Sequence, residues 1–432
     1  MSEVLWYIAG VVFIAIGIGF SIGWHELGHL LPAKRFGVKV PRYMIGFGPL
    51  LFSRKRGETE YGIKLIPLGG YITMIGMYPP AKAGTAEGAK RKGFAADSIA
   101  AARNAHSEHV TAADANRMFY QLPVLKRMAI MFGGPFMNLL LAMVLTIVSI
   151  CGFGGYVRST TITSVSECVP SSFTKEVACA ATDALSPAKA AGLKAGEQVL
   201  AVNGVEVSNF DQVTQYAAAH PGSLTFDVLV GHNREQVSIT PVMVTRPIVQ
   251  ADGSTKTGKA PFFGVILGSV RQAQPIGSAF AYAGNTLAQT FNLIATLPVQ
   301  VYQSLSDTIQ GKHRSSSGAV SIIGVGQAAG EIASNQQANF EDKFSSGLMM
   351  LASLNFALFA FNMIPLLPLD GGHIAGAIYE SLKRAIWRLR GKGDPGPADT
   401  ALLMPLTYVV TTLLIALSLV LLVLDLVNPI SL

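Results

Sequence analysis

Gly17-Ile18-Gly19-Phe20-Ser21-Ile22-Gly23-Trp24-His25-Glu26-Leu27-Gly28-His29 lies where an uncharged run of 21 residues, 4–24, meets its first ionisable groups. A run of that length is enough for a helix to cross about 30 Å of hydrocarbon. On such a helix positions i and i+4 share a face, so His25 and His29 can bind one metal ion while the carboxylate of Glu26 reaches a water beside it. Ionisable residues at the end of an apolar helix are costly and usually functional. The stretch therefore predicts a zinc site at one end of a membrane-spanning helix.

Three further runs lack charge: 128–157, 344–369 and 402–424. Half of the 432 residues are apolar and 14% are charged, against roughly 25% charged in an average soluble domain. Sparse charge and three cysteines argue against a disordered chain, a nucleic-acid-binding module and a disulfide scaffold. The expected class is a polytopic α-helical membrane protein with four transmembrane helices. The net charge of +7 is unevenly spread: 16 basic and 6 acidic residues in 31–127, 12 and 13 in 158–343, and 5 and 3 in 371–400. By the positive-inside rule the first and third connections face the cytoplasm, and the middle one lies outside with both termini. Met1-Ser2-Glu3 lacks the basic start of a cleavable signal, so the first span is expected to be retained. Residues 272–306 are also uncharged, but Pro275 and a series of Gln and Asn residues favour an amphipathic interfacial helix over a fifth span.

A catalytic zinc takes three protein ligands and keeps one position for water. Asp370, in Asn362-Met-Ile-Pro365-Leu-Leu-Pro368-Leu-Asp370-Gly371-Gly372-His373, is the candidate third ligand, because the first and third spans run in the same direction and bring it to the same membrane end. Two alternatives stay open: a boundary-capping carboxylate before Gly-Gly, and His373 as a rival ligand.

Together these residues resemble the site-2 protease family of intramembrane zinc metalloproteases. The resemblance rests on His25-Glu-Leu-Gly-His29, Asn362-x-x-Pro365 and Leu369-Asp370-Gly371, and extends to Gly46-Phe47-Gly48-Pro49, Pro67-Leu-Gly69-Gly70-Tyr71 and Gly134-Pro135-x-x-Asn138. It implies Zn²⁺ held by His25, His29 and Asp370, with Glu26 as catalytic base for peptide-bond hydrolysis. Residues 43–77 alternate and turn like short strands; the resemblance implies a membrane re-entrant β-loop over 40–78. A transmembrane substrate hides its peptide bonds in its own helix, so an edge of this loop, with Gly46, Phe47, Gly48, Gly69, Gly70 and Tyr71, is expected to pair with the unwound strand. A packing hairpin is the alternative. Asn355 and Asn362, seven apart on one helical face, are expected to contact substrate, Asn362 more firmly; joining helices is the alternative for both. Asn138 is expected to pack helices.

Ser186 to Gly204 and Leu224 to Val230 follow the order short helix, Gly-rich turn, strand, Asn-Gly turn and strand, which resembles a PDZ domain over 161–244. The interval fits one such domain, as in the single-PDZ branch of the family. The remaining divisions expected are spans at 1–34, 128–157, 344–369 (with the metal ligand at its end) and 402–424, a mobile cytoplasmic loop at 79–118 and an amphipathic region at 272–340. Cys168 and Cys179 lie on the outer side, as an oxidised pair or as two thiols.

The resemblance implies an enzyme of the bacterial inner membrane that acts in regulated intramembrane proteolysis. Its partners would be the lipid bilayer and single-span membrane proteins, such as an anti-sigma factor first cut by a site-1 protease, or remnant signal peptides; no nucleic acid is expected. The rival is a non-catalytic membrane scaffold with structural zinc and a partner-binding PDZ domain. A zinc transporter is disfavoured, because one site at one membrane end offers no relay.

Overall fold

The computed structural model describes residues 3–80, 93–107, 110–170, 179, 183–220, 222–231, 233–249, 255–312, 314 and 318–429. In chain order the elements are α1 (Glu3–Arg35), β1 (Arg42–Arg56), β2 (Thr59–Thr73), α2 (Phe94–Ser107) and α3 (Val124–Ile147). There follow β3 (Gly155–Val165), β4 (Gln198–Val202), β5 (Val205–Glu206), α4 (Phe210–Ala219), β6 (Leu224–Val230), β7 (Asn233–Ile239), β8 (Val242–Val249), β9 (Thr255–Phe262) and β10 (Val265–Gln272). The chain closes with α5 (Ile276–Ile309), α6 (Ile322–Ser334), α7 (Phe340–Asn362), α8 (Asp370–Leu389) and α9 (Met404–Val427). Among the described residues four helical stretches are long and apolar enough to cross a membrane: Glu3–Arg35, Val124–Gly154, Phe340–Asn362 and Thr400–Val427. The chain forms two compact units, Met1–Thr146 with Thr286–Leu432, and Ile147–Asn285.

The first unit is built around α1, whose small residues let neighbours approach its backbone. Gly10 meets the Ala329 backbone of α6, and Gly17 meets Leu351 of α7. Farther along, Gly28 and Gly133 of α3 lie so close that a Cβ on either would sit 2.1–2.2 Å from the other's carbonyl oxygen. Beneath this crossing, Leu30, Ala33, Ile130, Met131, Met74 and Ile374 form a buried cluster that joins α1, α3, the end of the β-loop and α8.

β1 and β2 fold on themselves. Residues 42–45 pair with 60–63 on one side and with 70–73 on the other, while 52–56 pair with 59–63 around the tip. Among the described residues 70–73 pairs on one side only, which makes it an edge. The Tyr43 hydroxyl donates to the Gly23 carbonyl at 2.6 Å and ties this loop to α1.

The third long helix ends earlier than the uncharged run. Pro365 and Pro368 supply no N–H; α7 stops at Asn362, and Asp370 opens α8 instead of closing α7. Residues 81–92, 108 and 109 of the expected loop at 79–118 lie outside the described residues, and the remainder includes α2, an Ala-rich helix whose Phe94 stacks edge-on to Tyr408 at 5.4 Å. Ala is the strongest helix former, and a composition with few large apolars concealed it. Among the described residues the region 272–340 contains the helices α5 and α6.

The second unit has a sheet in the order β10-β3-β4-β6-β7, with β5 paired to β4. Its core comprises Ile162, Val199, Val202, Leu224, Phe226 and Phe263 among others, and α4 contributes Phe210 and Val213. β10 pairs with β3, so the sheet continues past Val244. Cys168 and Cys179 are disulfide-bonded, and Cys151 is a free thiol.

Candidate metal centre

His25 and His29 stand one turn apart on α1, and Asp370 reaches them from the first turn of α8. Gly371 and Gly372 make that approach possible. A Cβ on Gly371 would lie 2.3 Å from the Ile364 carbonyl oxygen, and one on Gly372 would lie 2.5 Å from the Leu367 nitrogen. The Pro-containing linker therefore folds back against the start of α8 and holds Asp370 in place.

The three side chains converge. His25 Nε2 and His29 Nε2 are 3.1 Å apart; Asp370 Oδ2 is 3.3 Å from the first and Asp370 Oδ1 is 3.4 Å from the second. Metal–ligand bonds of about 2.0–2.1 Å place the corners of a tetrahedron about 3.3 Å apart. The His25–His29 spacing is that of two tetrahedral corners, and each imidazole has one oxygen of the Asp370 carboxylate at a like distance. His29 Nδ1 lies 2.8 Å from the Ile130 carbonyl oxygen, to which it donates, leaving the Nε2 lone pair for a metal. Asp370 Oδ2 is buried and makes no hydrogen bond among the described residues. Two imidazole nitrogens facing each other beside such a carboxylate suit a divalent cation.

Glu26 is buried next to this cluster but outside the converging set. A Cβ on Gly70 would come within 3.0 Å of Glu26 Cγ. The edge 70–73 thus runs directly past the carboxylate. Gly46 and Gly69 have φ of +91° and +110°, conformations that glycine adopts without a side-chain clash. The Phe47 and Tyr71 rings stack at 6.4 Å, and Gly48 lies between β1 residues that are largely exposed.

The two asparagines differ. Asn355 is wholly buried, and its amide donates to Ser21 Oγ and to the Leu351 carbonyl, both at 2.8 Å, which joins α7 to α1. Asn362 is half-buried, at the end of α7, and donates to the Leu358 carbonyl at 3.0 Å. His373 sits beside Tyr78 with ring centres 6.4 Å apart and is not among the converging ligands.

Sequence reasoning missed two contributors on α3. The Ile130 carbonyl orients His29. Gly134 leaves room for both imidazoles: a Cβ there would be 2.2 Å from His29 Nε2 and 2.8 Å from His25 Nε2. Asn138, one turn beyond Gly134 on the same face, is wholly buried with neither amide atom hydrogen-bonded among the described residues. Only the Gly-Pro-x-x-Asn spacing hinted at this helix face.

Residues 13–393 match peptidase family M50. The chain is 30% identical to zinc metalloprotease Rip1 of Mycobacterium tuberculosis (strain ATCC 25618 / H37Rv), over 99% of each chain. It is 31% identical to Rip1 of Mycolicibacterium smegmatis over 98% of each. Zinc metalloprotease RasP of Geobacillus kaustophilus is 26% identical over 93% of this chain and 96% of its own.

Proposed function

The chain belongs to peptidase family M50, the site-2 protease family, and from that premise we propose that His25, His29 and Asp370 hold the zinc of this intramembrane metalloprotease while Glu26 is its catalytic base. The observation that carries the assignment is the convergence of two Nε2 atoms and a carboxylate at 3.1–3.4 Å, with a second buried carboxylate alongside. When bound, zinc acidifies a water and polarises the scissile carbonyl. Glu26 takes the proton of the attacking water on a carboxylate oxygen and returns it to the leaving amine nitrogen. Its burial keeps bulk solvent from the carboxylate, and the edge 70–73 runs beside it.

The substrates are single-span membrane proteins, of the anti-sigma-factor kind, in regulated intramembrane proteolysis. An unwound substrate strand adds to the free edge at 70–73, which brings its backbone past Glu26. Phe47 and Tyr71 flank that edge, and Asn362 offers its amide to the substrate backbone; Asn355 is left to join α1 and α7. The second unit acts as a PDZ-like domain that reads a peptide end or sorts substrates by size, supported by the order of its strands and helix around one core. The surplus of basic charge in 31–127 supports a cytoplasmic placement of the metal end, in a bacterial inner membrane, with both termini and the second unit outside.

Cleavage of a model single-span substrate by the purified full chain, read beside its zinc content, tests the roles. Glu26→Gln should keep about one zinc per chain and lose cleavage, and Asp370→Ala should weaken zinc. Undiminished cleavage by Glu26→Gln would overturn the assignment.

A further inference from the structure

Helix α8 carries two unlike faces. Ile374, Ala377 and Glu380 are buried, whereas Ile378, Tyr379, Leu382, Ile386 and Leu389 are exposed, the last at 88%. At 3.6 residues per turn these five share a stripe about 100° wide, opposite the buried one. An apolar stripe of this size meets something other than water.

The charges around it identify what. Residues 381–392 hold five cations and no carboxylate: Lys383, Arg384, Arg388, Arg390 and Lys392. Arg384 is committed to Glu380 at 3.0 Å and Asp394 at 3.1 Å. Trp387 sits among the others, with Lys383 Nζ and Lys392 Nζ each 5.8 Å from its ring centre. Apolar stripe, cations and an indole on one helix are the composition of an interfacial helix on an acidic membrane surface. Its position agrees, because α8 lies in the stretch that connects α7 to α9, both long and apolar enough to cross a membrane.

We propose that α8 lies in the membrane interface, with its Ile378–Leu389 stripe in the acyl region and Lys383, Arg388, Arg390 and Lys392 holding acidic phospholipid headgroups. Nothing in this depends on which residues bind zinc. A protein partner would need to present an acidic rim around an apolar groove to fit the same face.

The test uses the full chain with Trp6→Phe and Trp24→Phe, so that Trp387 is the single indole. It is placed in nanodiscs of phosphatidylcholine and phosphatidylglycerol, with brominated chains on one lipid at a time at equal mole fraction. Brominated phosphatidylglycerol should quench Trp387 at least about twofold more than brominated phosphatidylcholine, and about 0.5 M NaCl should shrink the difference. Changing Lys383, Arg388, Arg390 and Lys392 to Gln should equalise the two lipids while leaving the quenching. Equal quenching in the unsubstituted helix would overturn headgroup selection. Absence of quenching by either lipid would overturn the interfacial placement and assign the face to a protein. Should the indole substitutions prevent folding, native mass spectrometry of the otherwise unaltered chain decides: phosphatidylglycerol adducts retained by the four-Gln variant would contradict the proposal.

Discussion

Arg127 of α3 and Glu380 of α8, 253 residues apart, meet at 2.6 Å with both side chains buried. Glu380 also accepts the Ala398 N–H at 2.8 Å and pairs with Arg384 at 3.0 Å, so its carboxylate is served from three directions. The pair joins the helix whose Ile130 carbonyl orients His29 to the helix whose first residue is Asp370. Removing one partner leaves a buried charge uncompensated, which typically costs about 3–5 kcal/mol. Glu380→Ala should therefore lower the thermal unfolding midpoint sharply. The double change Arg127→Met with Glu380→Leu should recover part of the loss, since apolar replacement of a buried pair is often neutral, while the Ala398 N–H and Arg384 still lose their acceptor.

Gly134→Ala should empty the metal site without unfolding the chain. The new methyl would have to occupy space 2.2 Å from His29 Nε2, and α3 is otherwise a good helix for Ala. Zinc per chain should fall well below one and cleavage by about a hundredfold or more, while Gly152→Ala, where nothing lies within 4 Å, should change neither. Full zinc in Gly134→Ala would show that α3 does not pack on the imidazoles as described.

Gly70→Val should separate the base from the metal. Its side chain would press on Ile22 Cγ2, Glu26 Cγ and the Met44 carbonyl oxygen, at 2.9, 3.0 and 3.1 Å from the Cβ position. The expected outcome is retained zinc with kcat reduced by about tenfold or more. Loss of zinc in step with activity would place the edge against the metal instead.

The loop that supports the edge has its own acid limit. Asp114 accepts hydrogen bonds from Lys39 Nζ at 2.6 Å and from the Thr111 N–H and hydroxyl, which hold its carboxyl well below the usual range. The Arg117 guanidinium likewise lowers Glu58. A carboxyl with a depressed folded-state pKa adds stability that is complete above its unfolded value and is lost as pH falls through the folded one. Stability should be level down to about pH 5 and decline below about pH 4. Asp114→Asn should make that decline shallower, as measured by the unfolding midpoint against pH; an unchanged slope would mean that the Lys39–Asp114 pair is not formed.

What sequence could read here was local. His25, Glu26 and His29 share one turn, and the uncharged runs announce four long helices, because both patterns repeat within a single element. Asp370 was reachable only through the direction of the spans, and its setting, at the head of α8 rather than the tail of α7, depended on how two prolines bend a linker. The tie between Asn355 and Ser21 spans 334 residues and leaves no periodic trace. Gly134 could be read as a glycine, but which atoms it spares is a property of the α1–α3 crossing. α2 was hidden for a different reason: an Ala-rich segment has helix propensity with few of the large apolar residues that mark a packed face.

The ligand set is tested most directly by X-ray absorption at the zinc edge, on the full chain in nanodiscs. Two imidazoles and oxygen ligands at about 2.0–2.1 Å are expected, with one imidazole fewer in His29→Ala and an altered oxygen shell in Asp370→Ala. A third imidazole, or a spectrum that Asp370→Ala leaves unchanged, would contradict the assignment of Asp370 as the third ligand.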